Sequence, residues 1–295
     1  MLANRSTVGY WGLTFLSVVW GLAFVAIRRA DLELSPVNLA LMRWLIASSL
    51  FLLLLPLIGK PKTRLEKKDI PRLLLVAFAN VAGYHLSLNY AEISVSAGLS
   101  GLLISFAPVI IVILSAILLH EKVTAKILAA LIFAISGALV LSIGSIGLND
   151  VSSLYGPGEV ILSAAFYAIF SVLGKTLVHK YGSAPTTIWA GLLGTAMMLP
   201  LLSGGFVTQA ESLSLNGWIS VLYLSVISTV FGYMLFFTLI SHHAVSSLSI
   251  QLYLIPIVSV VGGALLLNEP VTIPIMVGGA MMLVAVALAT RMGRN

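Results

Sequence analysis

The chain has 295 residues, of which 59% are apolar and only 9% charged, with a mean hydropathy of +1.08. Soluble domains carry roughly 25% charged residues, so this composition excludes a soluble globular protein. Net charge is +6 and the pI near 9.6, but the basic residues lie in loops between apolar runs and form no nucleic-acid-binding motif. Cys is absent, which excludes disulfides and thiolate chemistry.

In chain order, the first apolar run follows Arg5 and ends at Arg28 and Arg29. It is too long for a signal-peptide core and has no small-residue cleavage site, so it reads as a retained first helix. Crossing a ~30 Å hydrocarbon core takes about 20 helical residues. Stretches of that kind fall at 8–28, 37–58, 71–91, 94–119, 125–146, 157–178, 185–203, 215–240, 244–267 and 271–290. The chain is therefore expected to be an all-α polytopic membrane protein with ten transmembrane helices, five per half. The turn from Asn89 to Val95 is very short and Ser241 to Ala244 is a weak polar break, so nine or eleven spans stay open as alternatives.

With an inside N-terminus, the cytoplasmic loops collect Arg5, Lys60, Lys62, Arg64, Lys67, Lys68, Arg72, Lys122, Lys126, Lys175, Lys180, Arg291 and Arg294, 13 of the 16 basic residues. The outer loops then hold Asp31, Glu33, Glu92, Asp150, Glu159, Glu211 and Glu269. By the positive-inside rule both termini are expected in the cytoplasm.

The halves repeat each other. LLISFAPVIIVILSAILLHEKVT, from Leu102, matches IQLYLIPIVSVVGGALLLNEPVT, from Ile250, without a gap. Pro108 and Pro256 are 148 residues apart, as are Glu121 and Glu269. Residues 1–148 and 149–295 thus read as two copies of one unit. Five spans per copy is an odd number, so the second copy is expected to be inserted upside down, a plan that supplies alternating access in secondary transporters.

Further local patterns carry a resemblance. Trp20-Gly21 precedes Arg28 on span 1, Pro36 precedes Arg43 in PVNLALMRWLIA on span 2, and the doubled stretch combines an Ala/Ser-rich turn, a mid-span Pro and a Leu-Leu-x-Glu. Together, over nearly the whole chain, these resemble the EamA family of the drug/metabolite transporter superfamily. The resemblance implies ten helices, a substrate cavity between the halves and export of small metabolites such as amino acids across the inner membrane.

Several residues are candidates for lining that cavity. Arg43 is a charge inside a span, costly in hydrocarbon and therefore expected to face protein or water. It is either a binding or gating cation for carboxylates or a structural arginine pairing with Asp31, Glu33 or helix carbonyls. Span 3 carries Asn80, Tyr84, His85 and Asn89 on one broad face. His85 titrates near neutral pH and either carries a proton or hydrogen-bonds a neighbouring helix. Trp20 and Tyr167 fall at nearly equivalent places in spans 1 and 6, Tyr233 repeats Tyr84, and Ser105, Gln251 and Tyr253 come from spans 4 and 9.

Pro108 and Pro256 are expected to kink spans 4 and 9 and serve as hinges. Glu121 and Glu269 are read as caps of the helix that follows each, near Thr124 and Thr272. Gly137 with Ala134 and Ala138, and Gly278-Gly279-Ala280, offer close helix contacts. His120, His242 and His243 are read as solvated.

No Walker A loop is present, so the chain does not hydrolyse ATP by that route. No metal site or cofactor is expected. The expected partners are a small metabolite and the bilayer, with oligomeric state left open. Rival readings are efflux of cationic drugs, which calls for a mid-span carboxylate, a lipid-processing membrane enzyme, for which His242-His243 is the one hint, and a channel.

Overall fold

The computed structural model describes residues 2–56, 63–119, 132–133, 136–137, 140, 154–242 and 251–292. Among them every regular element is helical. In chain order they are α1 (Leu2–Ala30), α2 (Pro36–Leu54), α3 (Lys67–Glu92), α4 (Ala97–Ile104), α5 (Ala107–Leu119), α6 (Tyr155–Tyr181), α7 (Ser183–Leu201), α8 (Gly205–Ser212), α9 (Leu215–Leu239, continuing to His242), α10 (Gln251–Leu267) and α11 (Ile273–Met292). Five of these, α2, α3, α6, α7 and α9, are each long and apolar enough to cross a membrane. Most of the expected fifth span lies outside the described residues, as do His120, Glu121, Thr124 and His243.

The helix boundaries have local causes. Ser35, Ser96 and Ser214 each turn a hydroxyl onto the backbone N–H three residues on, at Asn38, Leu99 and Gly217, so α2, α4 and α9 all start on a serine cap. Pro36 supplies a first helical residue that has no N–H to satisfy. Between α6 and α7 the chain turns on one residue, Gly182, at φ +100°, a conformation open to glycine.

One apolar core runs through α1, α2, α3, α6 and α9, with Trp44, Phe51, Phe170 and Phe237 fully buried. α1 packs along α10, α10 against α4, and α3 against both α6 and α7. Large apolar side chains such as Leu53, Phe231, Leu265 and Ile273 point outward, as a lipid-facing surface requires. α11 touches α10, α4 and α5 lightly, and Gly279 lets it approach Leu102.

Two ends of the bundle are tied differently. At the basic end, Asp69 Oδ2 accepts from Lys180 Nζ and from the Tyr181 hydroxyl, both at 2.6 Å. Glu66 pairs with Lys180 at 2.6 Å and Lys68 at 2.8 Å, and its backbone N–H donates to the Tyr181 hydroxyl at 3.1 Å. Hydrogen bonds from Lys180 and Lys68 hold the Glu66 carboxyl below its ordinary value.

At the acidic end, side chains from distant segments reinforce the helix starts. Glu33 accepts from the Ser214 N–H at 2.7 Å and its hydroxyl at 2.6 Å, contacts that hold its carboxyl below the usual range. Gln209, on the unexpected surface helix α8, accepts from the Ser35 N–H at 3.1 Å and Asn38 Nδ2 at 2.7 Å. Glu269 accepts from the N–H groups of Ala97 at 2.8 Å and Gly98 at 3.1 Å.

This last contact corrects the sequence reading. Glu269 caps α4, in the other half of the chain, and not the helix that follows it, while the Thr272 hydroxyl has no hydrogen-bond partner. Two amide donors without an intrahelical acceptor at the start of α4 offer a carboxylate more than one threonine would. Span 4 is also broken more sharply than a kinked helix. α4 ends at Ile104, a turn covers Ser105 and Phe106, and Pro108 stands in the first turn of α5, where a missing N–H costs nothing. Pro256 does lie inside α10.

Candidate functional site

Where the spans converge there is a central cavity of ≈ 40 Å³, lined from α1 by Trp20 and Phe24, from α2 by Arg43, from α3 by Tyr84, from α6 by Tyr167 and from α9 by Ser228 and Tyr233. Its wall is largely aromatic. The Trp20 ring lies 5.6 Å from Tyr233 and 6.1 Å from Tyr167, edge-on to the latter, and Trp44 stacks behind Tyr233 at 5.9 Å. Tilted and edge-on arrangements of this kind are the favourable geometries for aromatic pairs and add to the packing of the wall.

Two stretches of π-helix shape the wall, Ala79–Tyr84 within α3 and Tyr223–Phe231 within α9. Such wider turns inside α-helices recur at functional sites. The second one faces α1 and α2. Trp20 Nε1 donates to the Ser228 carbonyl at 3.1 Å, and the Tyr223 hydroxyl donates to the Val19 carbonyl at 2.8 Å.

Arg43 is the charged residue of the wall. Its side chain is 4% exposed, with Nε on Thr229 Oγ1 at 2.7 Å and one Nη on Ser228 Oγ at 3.1 Å. Among the described residues no carboxylate lies within 4.0 Å of it, so neither Asp31 nor Glu33 is its partner, and the expected structural ion pair is replaced by two hydroxyls. A buried cation held by neutral groups keeps its charge available to an anion.

The other predicted residues fall into three groups. Trp20, Tyr84, Tyr167 and Tyr233 line the cavity together with Arg43. His85 sits behind that wall, fully buried against Trp44 and Tyr84, with Nε2 3.4 Å from the Tyr233 hydroxyl of α9 and Nδ1 without a partner. Asn80 is buried away from the wall, and Ser105 turns its hydroxyl back onto the Leu102 carbonyl. The side chains of Gln251, Tyr253 and Pro108 lie outside the described residues. Ser228 and Thr229 were not anticipated, because hydroxyls are common in apolar spans and nothing local marks these two as the partners of Arg43.

A second correction concerns Glu92. Expected in an outer loop, it is the last residue of α3, 0% exposed, with both carboxyl oxygens unpartnered among the described residues. Arg28 closes over it, but donates to the backbone carbonyls of Glu92 and Ile93, the end of the α3 carbonyl ladder.

Comparison with known proteins adds the following. The model of the EamA-like transporter family matches residues 7–143 and again 156–291. An uncharacterized transporter of Archaeoglobus fulgidus is 33% identical over 282 residues, 95% of this chain and 98% of its own. A probable terminal-alkyne amino-acid exporter of Streptantibioticus cattleyicolor is 29% identical, covering 95% of this chain and 93% of its own. A probable amino-acid metabolite efflux pump of Escherichia coli is 27% identical over 86% and 85%. A crystal structure with a TM-score of 0.65 and 16% identity covers 98% of both chains, which shows a shared fold.

Proposed function

Because the chain belongs to the EamA-like transporter family, we propose that it is a secondary transporter that exports small organic carboxylates, amino acids foremost, by alternating access. The observation that carries this reading is Arg43, a buried guanidinium on an aromatic cavity wall whose partners among the described residues are hydroxyls. A carboxylate would take a charge-assisted hydrogen bond from it. The faces of Trp20, Tyr84, Tyr167 and Tyr233 would hold an apolar side chain or, by cation–π attraction, an ammonium group. Two relatives bear names that mention amino-acid export, which agrees with this substrate class. Efflux of cationic drugs is disfavoured, since the lining contributes a cation and no carboxylate among the described residues.

The cavity of ≈ 40 Å³ has room for a few waters, at about 10–15 Å³ each, and not for an amino acid. Substrate entry therefore needs the spans to part, and an inverted repeat supplies two equivalent ways of doing so. Several contacts support that repeat. At the 148-residue offset of the two prolines Tyr233 answers to His85, one residue on from the Tyr84 suggested by the Gly-Tyr pairs, and since His85 and Tyr233 touch, each would be the other's image on the symmetry axis. The same shift carries Glu33 onto Tyr181 and Ser214 onto Glu66. The Ser214 N–H meets the Glu33 side chain at one end, and the Glu66 N–H meets the Tyr181 side chain at the other. Both π-helical stretches sit in corresponding spans. The substrate site breaks the symmetry, since the position matching Arg43 is Gly191, packed against Trp44 and Phe51.

The basic end carries Lys67, Lys68, Arg72 and Lys180, and the positive-inside rule supports a cytoplasmic side for it and, with the basic residues near both ends of the chain, for the termini. Proteoliposomes preloaded with an unlabelled amino acid test the transport reading. Saturable uptake of the labelled form by counterflow is expected. A conductive flux without counterflow would mean a channel, and turnover without translocation an enzyme.

A further inference from the structure

We infer that Glu92 is a proton-binding site that keeps the acidic end of the bundle shut while it holds its proton and lets that end open when it releases it. The ligand is a proton drawn from the side this end faces. The inference goes beyond the substrate reading and does not depend on it.

The geometry is unusual for a carboxylate at the end of a helix. Glu92 is 0% exposed, and among the described residues neither Oε1 nor Oε2 has a hydrogen-bond partner. Arg28, the nearby cation, spends its Nη1 on the carbonyls of Glu92 and Ile93. Glu269 commits both oxygens to the N–H groups of Ala97 and Gly98 and cannot serve as a donor. Asp31, just beyond α1, also has both carboxyl oxygens buried and unpartnered. An ionised carboxylate without water, donors or a bonded cation is far more costly to bury than a neutral one, so the closed arrangement suits the acid form.

The elements packed on this end of α3 bring one cation and two acids to bear on the Glu92 carboxyl. From α1 come Arg28 and Asp31, and from the segment after α10 comes Glu269; these three act on the Glu92 carboxyl. Arg43 of α2 and Tyr84 of α3 feel it from farther off. α4 and α6, which also pack there, add no charged group to that set. Of these three charges, two are acidic and one basic. Burial pushes the Asp31 carboxyl up to about 8, against the pull of Arg28. Metal binding is a poorer match, since no group of three or more His, Asp or Glu among the described residues could hold an ion.

When the acidic end opens, water reaches Glu92 and the proton can leave. With Asp31→Asn removing the second buried acid, closed and open forms differ by the one proton of Glu92, so their ratio shifts by up to about tenfold per pH unit. The chain has no native Cys, which allows single-cysteine reporters. Val95, 2% exposed beside Glu92, reports opening when replaced by Cys, and Leu32, 73% exposed, provides the reference. The ratio of maleimide labelling at Val95→Cys to that at Leu32→Cys is measured in the full-length Asp31→Asn chain in detergent from about pH 6 to about pH 8, so that Asp31 cannot contribute to the response. It is expected to rise about tenfold or more with pH, and in Glu92→Gln to stay at its low-pH value. A ratio independent of pH, a rise retained in Glu92→Gln, or a response to sodium at constant pH would each overturn the inference. Should Glu92→Gln not fold, infrared spectroscopy of Asp31→Asn decides. A protonated-carboxyl stretch present at about pH 6 and lost as labelling rises supports the site, and absence of that stretch refutes it.

Discussion

Replacing Arg43 by Met separates the binding role of this residue from a structural one. Met approximates the length and bulk of the arginine stem, so the variant leaves little void next to Tyr84 and Tyr233, which share the cavity wall. The guanidinium is 4% exposed and its partners are the Thr229 and Ser228 hydroxyls. Thr229 keeps its own bond to the Leu224 carbonyl at 2.8 Å when the arginine is gone. Removing a buried charge that no counter-charge compensates relieves desolvation, so the melting temperature in detergent is expected to hold or rise. A carboxylate ligand, by contrast, loses a charge-assisted hydrogen bond worth about 2–3 kcal/mol, or about 30- to 150-fold in Kd. The assay is amino-acid binding monitored by tryptophan fluorescence, since Trp20 lines the same cavity. Unchanged affinity in Arg43→Met would refute the binding role. A melting temperature depressed as far as that of Arg43→Ala, which leaves a hole, would show that the charge stabilises the fold.

Glu269→Ala strips two N–H groups at the start of α4 of their acceptor and is expected to destabilise by about 1–3 kcal/mol, read as a lowered melting temperature that Glu269→Gln only partly restores. Gly101→Ala would place its Cβ within the Ser259 side chain where α4 meets α10, at an expected cost of about 1–3 kcal/mol, while Gly158→Ala, with nothing within 4 Å, serves as the neutral control. Asp31 is neutral in the fold up to about pH 8 but ionised in the unfolded chain above its ordinary 3.8, so the fold holds the extra proton in that window and stability falls as pH rises through it. Asp31→Asn is therefore expected to flatten the dependence of melting temperature on pH. A slope equal to that of the wild type would contradict the burial of Asp31.

Apolar length and loop charge made most of the spans legible, because crossing hydrocarbon imposes long runs that no soluble fold needs. The wall of the cavity was legible in part. Trp20, Arg43, Tyr84, Tyr167 and Tyr233 stand out as aromatic or charged residues inside spans, whereas Ser228 and Thr229 look like any hydroxyls in a helix. The π-helical stretches ANVAGY and YLSVISTVF carry no local signature, since tertiary packing selects the wider turn. α8 escaped notice because GFVTQAES is short and polar. Glu92 resembles a loop acid, two residues before the turn at Ser94, and its burial is decided by α1 and α6 folding over it. The role of Glu269 was misplaced for a related reason. Local spacing suggests a cap for the next helix, but the better donors come from the other half of the chain.

Competition in counterflow tests most directly whether a carboxylate is held by Arg43 during transport. Proteoliposomes exchanging a labelled amino acid are challenged with the unlabelled acid, its amide and the amine that lacks the carboxyl group. The acid is expected to compete, with the amide and amine weaker by about 30-fold or more, as loss of a charge-assisted hydrogen bond implies. Equal competition by the amine would contradict the account.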